Sequence, residues 1–565
     1  MKNSRLYLIF FVLITLVAFF LRFWKLGEVP NGLYQDETAI GYNAYSIIQT
    51  GRDEYGKNLP LYFKSFGDYK LPIYIYATVP SVIMFGLTEF AVRAPSALFG
   101  ALSVPLLGLL IYALTSDKRL SIFGMLLLAV NPWHLHYSRA TFEVSISLFL
   151  FMLGALLLHK SFYSKTRGLF LAGTVSFILA LYTYNLTRLL SPLLFLVLLF
   201  FERDKIKSVS RTELIISAIA SCVLLIPFLA SLFNAGGASS ASGTLILSSA
   251  AVQAPLLEFR SYFIYAPTFV TTLFMNKFIL SLWQYINNIF SYFSVDFFFI
   301  RGSLHGNHGI GNVGLFYLFE LPLIILGISK VIRKKMRWGI FIAAWGVIVI
   351  AVAALTRDVP HATRSFFLLV PLIVFSALGL KEIADQIHKI RKHFLKVSII
   401  TACALFVSYN LFYYFSSYYG RFPTFYAKRW QASDKEVVKT ILKNKDKYDK
   451  IIFDSKAGFP YTSYLFYSAY PPKDFQDSVK RQPDDSEGFS VVDSFGKFEF
   501  RDIDWTKDLK SPKTLILTTA DRKPAELTPI KTFYFPKRPI VIAVKQEVLG
   551  YPFEEVSYVL VSETK

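Results

Sequence analysis

Two adjacent carboxylates, Asp36 and Glu37, stand in the string Leu33-Tyr34-Gln35-Asp36-Glu37-Thr38-Ala39, a few residues after the first apolar run. Carboxylates at a membrane surface are costly to desolvate and mark functional sites when they are kept there. Chemically, such a carboxylate is a general base, able to take a proton from a hydroxyl at the headgroup level. The structural alternative is an acidic pair favoured by the N-terminus of a helix, since Thr38–Ile48 reads as helical.

Cations in the same kind of loop supply the complementary chemistry. Lys70 precedes Leu71-Pro72, Arg139 follows His136-Tyr137-Ser138, Arg260 lies in a long loop, and Arg357 and Arg364 bracket Asp358-Val359-Pro360-His361-Ala362-Thr363. Together they would form a pocket for an anionic headgroup, arginine as a fork matched to phosphate and lysine as a point charge. Each taken singly also reads as a snorkelling or rim residue. Glu143 begins a helix from the same side, where it would orient substrate, bind a divalent metal or simply favour the helix start. His134 and His136, and the run His305-Gly306-Asn307-His308-Gly309, lack HExxH or any other zinc spacing and read as polar loop histidines. No Walker A, no GxGxxG after a strand and no GxSxG elbow is present, so no nucleotide cofactor is indicated.

The elements that must hold these residues are mostly membrane helices. The 565 residues are 54% hydrophobic and 17% aromatic, with a mean hydropathy of +0.43. Long apolar runs place the chain among integral membrane proteins. Eleven spans are expected: Leu6–Leu21, Ser96–Leu114, Leu120–Trp133, Val144–Leu158, Leu169–Tyr184, Leu189–Phe201, Leu214–Leu232, Val313–Val331, Trp338–Leu355, Phe366–Leu380 and Val397–Phe415. A further pair hidden in the long loop 233–312 would raise the count to thirteen without changing parity.

The formal charge of +21 sits mostly in short loops, such as Lys118-Arg119, Lys160 with Lys165 and Arg167, and Arg333-Lys334-Lys335. That distribution belongs to topology determinants facing anionic lipid and speaks against nucleic acid. These loops face the cytoplasm, as does the N-terminus. The first outer loop, residues 22–95, holds Asp36 and Lys70. Within it Leu71–Leu87 is apolar but short and carries Pro72, Pro80 and Gly86, and reads as a membrane-dipping segment, which requires a cavity or protein beside it.

From residue 419 the composition turns charged. A helix over Lys435–Lys445 and strands over Lys450–Asp454, Thr514–Thr519 and Ile540–Val544 predict an extracytoplasmic α/β domain, 419–565, after a membrane domain, 1–418. Cys222 and Cys403 lie in apolar helices and read as buried inert thiols, not a disulfide. The N-terminal run has no small-residue cleavage site after it and reads as a retained helix.

The order of motifs resembles a known family. An Asp-Glu outer loop follows a short N-terminal helix; then come Asp68-Tyr69-Lys70-Leu71-Pro72, Phe85-Gly86-Leu87-Thr88-Glu89-Phe90-Ala91-Val92-Arg93-Ala94-Pro95, Asn131-Pro132 with Ser138-Arg139, and His361 with Arg364 ahead of Pro371. This resembles the GT-C membrane glycosyltransferases, in the branch of the protein O-mannosyltransferases and lipid A aminoarabinose transferases, over most of Leu6–Leu380. No Trp-Trp-Asp string is present, which argues against an oligosaccharyltransferase.

The resemblance implies a polytopic α-helical GT-C fold, with a plasma-membrane enzyme that moves a sugar from a polyprenyl-phosphate donor to a protein, glycan or lipid acceptor. It makes Asp36 the base, with Glu37 beside it. Lys70 contacts the donor phosphate, followed by Leu71-Pro72 where the family has Pro-Pro, and Arg139, Arg260 and Arg364 are the further phosphate candidates. Glu143 stands where the family's second-loop acid is usually Asp, and with His361 it is the candidate for substrate contact. A phosphate leaving group needs no strong acid, so one base and cations suffice for an inverting displacement. No cofactor is required by this chemistry, and a divalent metal stays open. The alternative from another class is a transporter or flippase for the same lipids, which predicts broken or charged midplane helices and repeat symmetry.

Overall fold

The computed structural model describes residues 4–66, 68–232, 246, 256–263, 265, 267–485, 489–536 and 556–562. The expected strand Ile540–Val544 and residues 233–245 of the long loop lie outside them. Among the described residues, six helices are long and apolar enough to cross a membrane: Ser4–Phe23, Glu89–Thr115, Glu143–Ser161, Arg211–Ala230, Phe366–Lys389 and His393–Phe425. Shorter apolar helices cover Pro72–Phe85, Leu169–Leu181, Thr187–Phe201 and Arg337–Ala353. At 1.5 Å per residue, the 14 residues of Pro72–Phe85 span about 21 Å, less than the ~30 Å of a hydrocarbon core.

Two readings are corrected. The expected span Leu120–Trp133 is broken into helices Lys118–Val130 and Pro132–Tyr137, because Asn131 is extended, its side chain accepts from the His134 N–H at 3.0 Å, and Pro132 opens the second helix. Cys222 and Cys403 are exposed rather than buried. An apolar helix buries its side chains in protein or presents them to lipid, and composition alone does not separate the two.

The chain forms two compact units. The first comprises residues 1–24, 96–138 and 142–414 and holds most of the apolar helices. In it Arg22, at the end of the first helix, is fully buried and donates to the carbonyls of Ala18, Leu128 and Ala129, with His134 Nδ1 at 2.6 Å.

The second unit comprises residues 25–95, 139–141 and 415–565, so the first loop packs with the C-terminal sheet. Strands Phe63–Ser65 (β1) and Asp68–Lys70 (β2) form a small antiparallel hairpin. Strands β3 (Lys450–Asp454), β4 (Lys480–Arg481), β5 (Val492–Phe495), β6 (Phe498–Arg501), β7 (Thr514–Thr518), β8 (Lys531–Tyr534) and β9 (Val556–Ser562) form a sheet in the order β4-β5-β6-β3-β7-β9-β8. β6, β3 and β7 are parallel, and the outer pairs are antiparallel. Ile451, Phe453, Phe498, Phe500, Leu515 and Leu517 face one core with Val437, Ile441, Leu465 and Phe475. Tyr42 of the first-loop helix Gln35–Thr50 belongs to that core, and its hydroxyl donates to Tyr470 O. Thr38 and Thr462 join the same faces through their hydroxyls at 2.9 Å. The helix ends at Gly51, whose φ of 70° permits the cap from its N–H to Ile47 O.

Candidate functional site

The helix Gln35–Thr50 carries Asp36 and Glu37 in its first turn, where carboxylates are favoured by the unsatisfied N–H groups. Adjacent positions on a helix point about 100° apart, so the two acids meet different surroundings. Asp36 stays 43% exposed, and Lys70 Nζ, itself 5% exposed, donates to its Oδ1 at 2.7 Å. Lys70 ends β2, and its ammonium lies 5.7 Å from the Phe66 ring centroid. The result is one accessible carboxylate beside one nearly buried cation.

Glu37 is fully buried and its two oxygens are committed. Oε1 accepts from Arg93 Nε at 3.0 Å and from the Thr141 N–H and hydroxyl at 3.0 and 2.9 Å; Oε2 accepts from the Arg93 guanidinium at 2.9 Å. Arg93 also donates to the carbonyls of Leu26, Pro30 and Gly32 and lies over the Trp430 ring. A single guanidinium thereby fixes the loop that leads into Asp36. Nothing in the sequence pairs residues 56 positions apart, and Arg93 was not among the expected site residues.

Arg139 occupies the same unit, buried, donating to Val29 O at 3.1 Å and Lys25 O at 3.3 Å, with its guanidinium over Tyr418 and Tyr419. The remaining candidates belong to the first unit. Glu143 is the first residue of helix Glu143–Ser161. Arg260 is exposed and donates to Met275 O at 2.8 Å. Arg364 is hydrogen-bonded to Thr356 Oγ1 and Arg357 O and lies 3.8 Å from Asp358. Beside it, His361 packs on His308, and His308 on His305, with ring centroids 4.7 and 4.6 Å apart. His308 Nδ1 lies 2.6 Å from Thr363 Oγ1 and 3.2 Å from the Tyr137 hydroxyl. Burial, with Arg364 nearby, holds His361 down to about 3, so its imidazole is neutral. His308 and His361 thus meet edge to face although the sequence separates them by more than 50 residues. Among the described residues no group of three or more His, Cys, Asp or Glu side chains is placed to hold a metal ion.

A second acid that sequence reasoning passed over follows the first-loop helix. Glu54 is buried, accepts from the Tyr461 hydroxyl at 3.1 Å and from Asn43 Nδ2 at 3.4 Å, and is pushed up to about 7 by burial.

The model of the dolichyl-phosphate-mannose-protein mannosyltransferase family matches residues 12–235, a span that contains Asp36, Lys70, Arg139 and Glu143. Among solved structures, ArnT from Cupriavidus metallidurans in the apo state has a TM-score of 0.56 at 12% identity, covering 99% of this chain and 98% of that one. The same protein bound to undecaprenyl phosphate gives 0.55 at 12% identity over the same shares. The Archaeoglobus fulgidus oligosaccharyltransferase in the apo form has a TM-score of 0.45 at 15% identity, over 74% of this chain; the chain spans 56% of its length. No curated protein matches significantly in sequence. The resemblance read from the motifs holds: the chain is similar to the mannosyltransferase family over residues 12–235 and shares the polytopic fold of ArnT over nearly its whole length, with a C-terminal sheet domain.

Proposed function

We propose that this protein is a membrane glycosyltransferase that moves a sugar from a polyprenyl-phosphate carrier to an acceptor hydroxyl at the extracytoplasmic face. The observation that carries the reading is the 2.7 Å pair of an exposed Asp36 with a nearly buried Lys70. The family match spans both residues, and a neighbour sharing the fold over nearly the whole chain is a protein crystallised with undecaprenyl phosphate.

The chemistry follows from the two groups. In the resting pair Asp36 is the acceptor for Lys70. An arriving phosphate takes over the ammonium, because its oxygens accept the same charge-assisted bond. Asp36 is then free to take the acceptor's hydroxyl proton. The acceptor oxygen attacks the anomeric carbon as the carbon–oxygen bond to phosphate breaks, and the anomeric centre inverts. Polyprenyl phosphate leaves with the bonding electrons, its charge held by Lys70. Glu37 serves this site through Arg93, which fixes the backbone ahead of Asp36, and not as a second base, since both its oxygens are engaged. Arg139 does the same for residues 25–29 through their carbonyls. For residues of the first unit the family resemblance alone supports a reading, with substrate contact for Glu143 and His361 and phosphate contact for Arg260 and Arg364. The site faces the extracytoplasmic side of the plasma membrane, with the N-terminus in the cytoplasm.

The test is incubation of the purified protein in lipid with a radiolabelled polyprenyl-phosphate sugar and an acceptor preparation of membrane protein, glycan and lipid. The expected result is label in an acceptor and release of polyprenyl phosphate. Label that only crosses the vesicle bilayer, with the donor intact, would replace this reading with a transporter.

A further inference from the structure

The hairpin that carries Lys70 is too small to hold itself. Each strand has three residues, and an isolated two-stranded hairpin is marginal in water even when longer. Its register pairs Phe63 with Lys70, Lys64 with Tyr69, and Ser65 with Asp68. Directly opposed residues point to the same face, and faces alternate along each strand. Phe63 and Lys70 therefore share one face, and Lys64 and Tyr69 the other.

The first face is the one turned to the site. Phe63 is buried with its ring 5.6 Å from Tyr76, and Lys70 reaches Asp36. The second face is held by the C-terminal sheet domain. Lys64 Nζ bonds both oxygens of Asp484 at 2.8 Å, with Lys64 12% and Asp484 52% exposed. Tyr69 packs on Phe489, centroids 5.3 Å apart. Asp484 and Phe489 are themselves anchored. Gln482 donates its N–H to Val491 O, continuing the β4–β5 pairing, and Asp485 and Phe489 exchange bonds through Asp485 N–H to Phe489 O at 2.8 Å and Phe489 N–H to Asp485 Oδ1 at 2.9 Å. Phe489 is buried.

We propose that Asp484 and Phe489 are positioning residues for Lys70: the C-terminal domain grips the outer face of the hairpin and so sets where the lysine on its inner face meets the donor phosphate. This gives the sheet domain a role in donor use. The inference rests on the phosphate role of Lys70 proposed above, but the grip itself does not.

Two measurements on the full-length protein test it. The first is the rate at which an amine-acylating reagent modifies Lys70, read by mass spectrometry. Asp484→Lys and Phe489→Ala should each raise that rate, and the charge swap Lys64→Asp with Asp484→Lys should restore protection. Unchanged protection in both single variants would overturn the proposal. The second is the kinetic split. Asp484→Lys should raise the donor KM about fivefold, the scale of one part-exposed ion pair, with the acceptor KM and the melting temperature held and the swap restoring the donor KM. A fall in kcat and melting temperature together, unrescued by the swap, would reduce Asp484 to a structural brace and overturn it. Lost protection with an unchanged donor KM in both Asp484→Lys and Lys70→Ala would reject the phosphate role of Lys70 and leave the grip standing.

Discussion

Lys70 Nζ and Asp36 Oδ1 stand 2.7 Å apart across 34 residues of chain, the cation nearly buried and the carboxylate open. The asymmetry defines the two roles. A base must be reached by its acceptor, while a cation that neutralises a leaving phosphate gains strength by being shielded from water.

Lys70→Ala should therefore affect the donor first. The expected outcome is a donor KM raised by about tenfold or more, with a smaller change in the acceptor KM, because a charge-assisted bond to phosphate contributes roughly 1.5–3 kcal/mol. Steady-state kinetics with each substrate varied in turn checks this. An unchanged donor KM would remove the phosphate contact.

The buried pair Glu37–Arg93 makes a different prediction. Arg93→Ala leaves Glu37 uncompensated in the interior and should destabilise the second unit by about 3–5 kcal/mol. Glu37→Gln keeps an acceptor for Thr141 and should cost less. Thermal unfolding of the detergent-purified variants measures both, and a wild-type melting temperature for Arg93→Ala would contradict the assignment.

Gly41 faces Phe466 and Val92, and a Cβ there would lie 2.4 and 2.7 Å from their side-chain atoms. Gly41→Leu should cost about 1–3 kcal/mol through overpacking, lowering the melting temperature. A variant as stable as the wild type would show that the helix Gln35–Thr50 does not pack closely on the domain.

Glu54 gives the fold a pH dependence of defined sign. Its carboxyl is raised from 4.5 to about 7 by burial. Below about 4.5 both native and unfolded chains hold the proton; between 4.5 and 7 the native state holds it and the unfolded chain releases it. Stability therefore falls as pH rises through that window, by an order of 3 kcal/mol in all, and stays lower above it. Glu54→Gln should flatten this slope, seen as a smaller melting-temperature difference between pH 5 and pH 8. A slope unchanged by the substitution would place the titration elsewhere.

The sequence made some of this legible for identifiable reasons. Lys450–Asp454 and Thr514–Thr518 are compact apolar runs in a charged stretch, and both are strands of the parallel centre of the sheet. The helix after Ser433 shows its period, and it runs Asp434–Asn444. The hairpin Phe63–Lys70 did not show, because three-residue strands leave no alternation to read. Arg93 read as one residue of a family motif, and its bond to Glu37 is a tertiary fact with no local trace. Cys222 and Cys403 were misplaced because apolar context is the same against lipid and inside protein. The motif order placed Asp36 and Lys70 in one loop; only the folded hairpin brings them within a hydrogen bond.

Single-turnover transfer from a radiolabelled polyprenyl-phosphate sugar, comparing wild type with Asp36→Asn at matched melting temperature, tests the central claim most directly. Loss of the base should slow transfer by roughly 10²–10⁴ while donor binding persists. Transfer by Asp36→Asn at a rate near wild type would contradict the account.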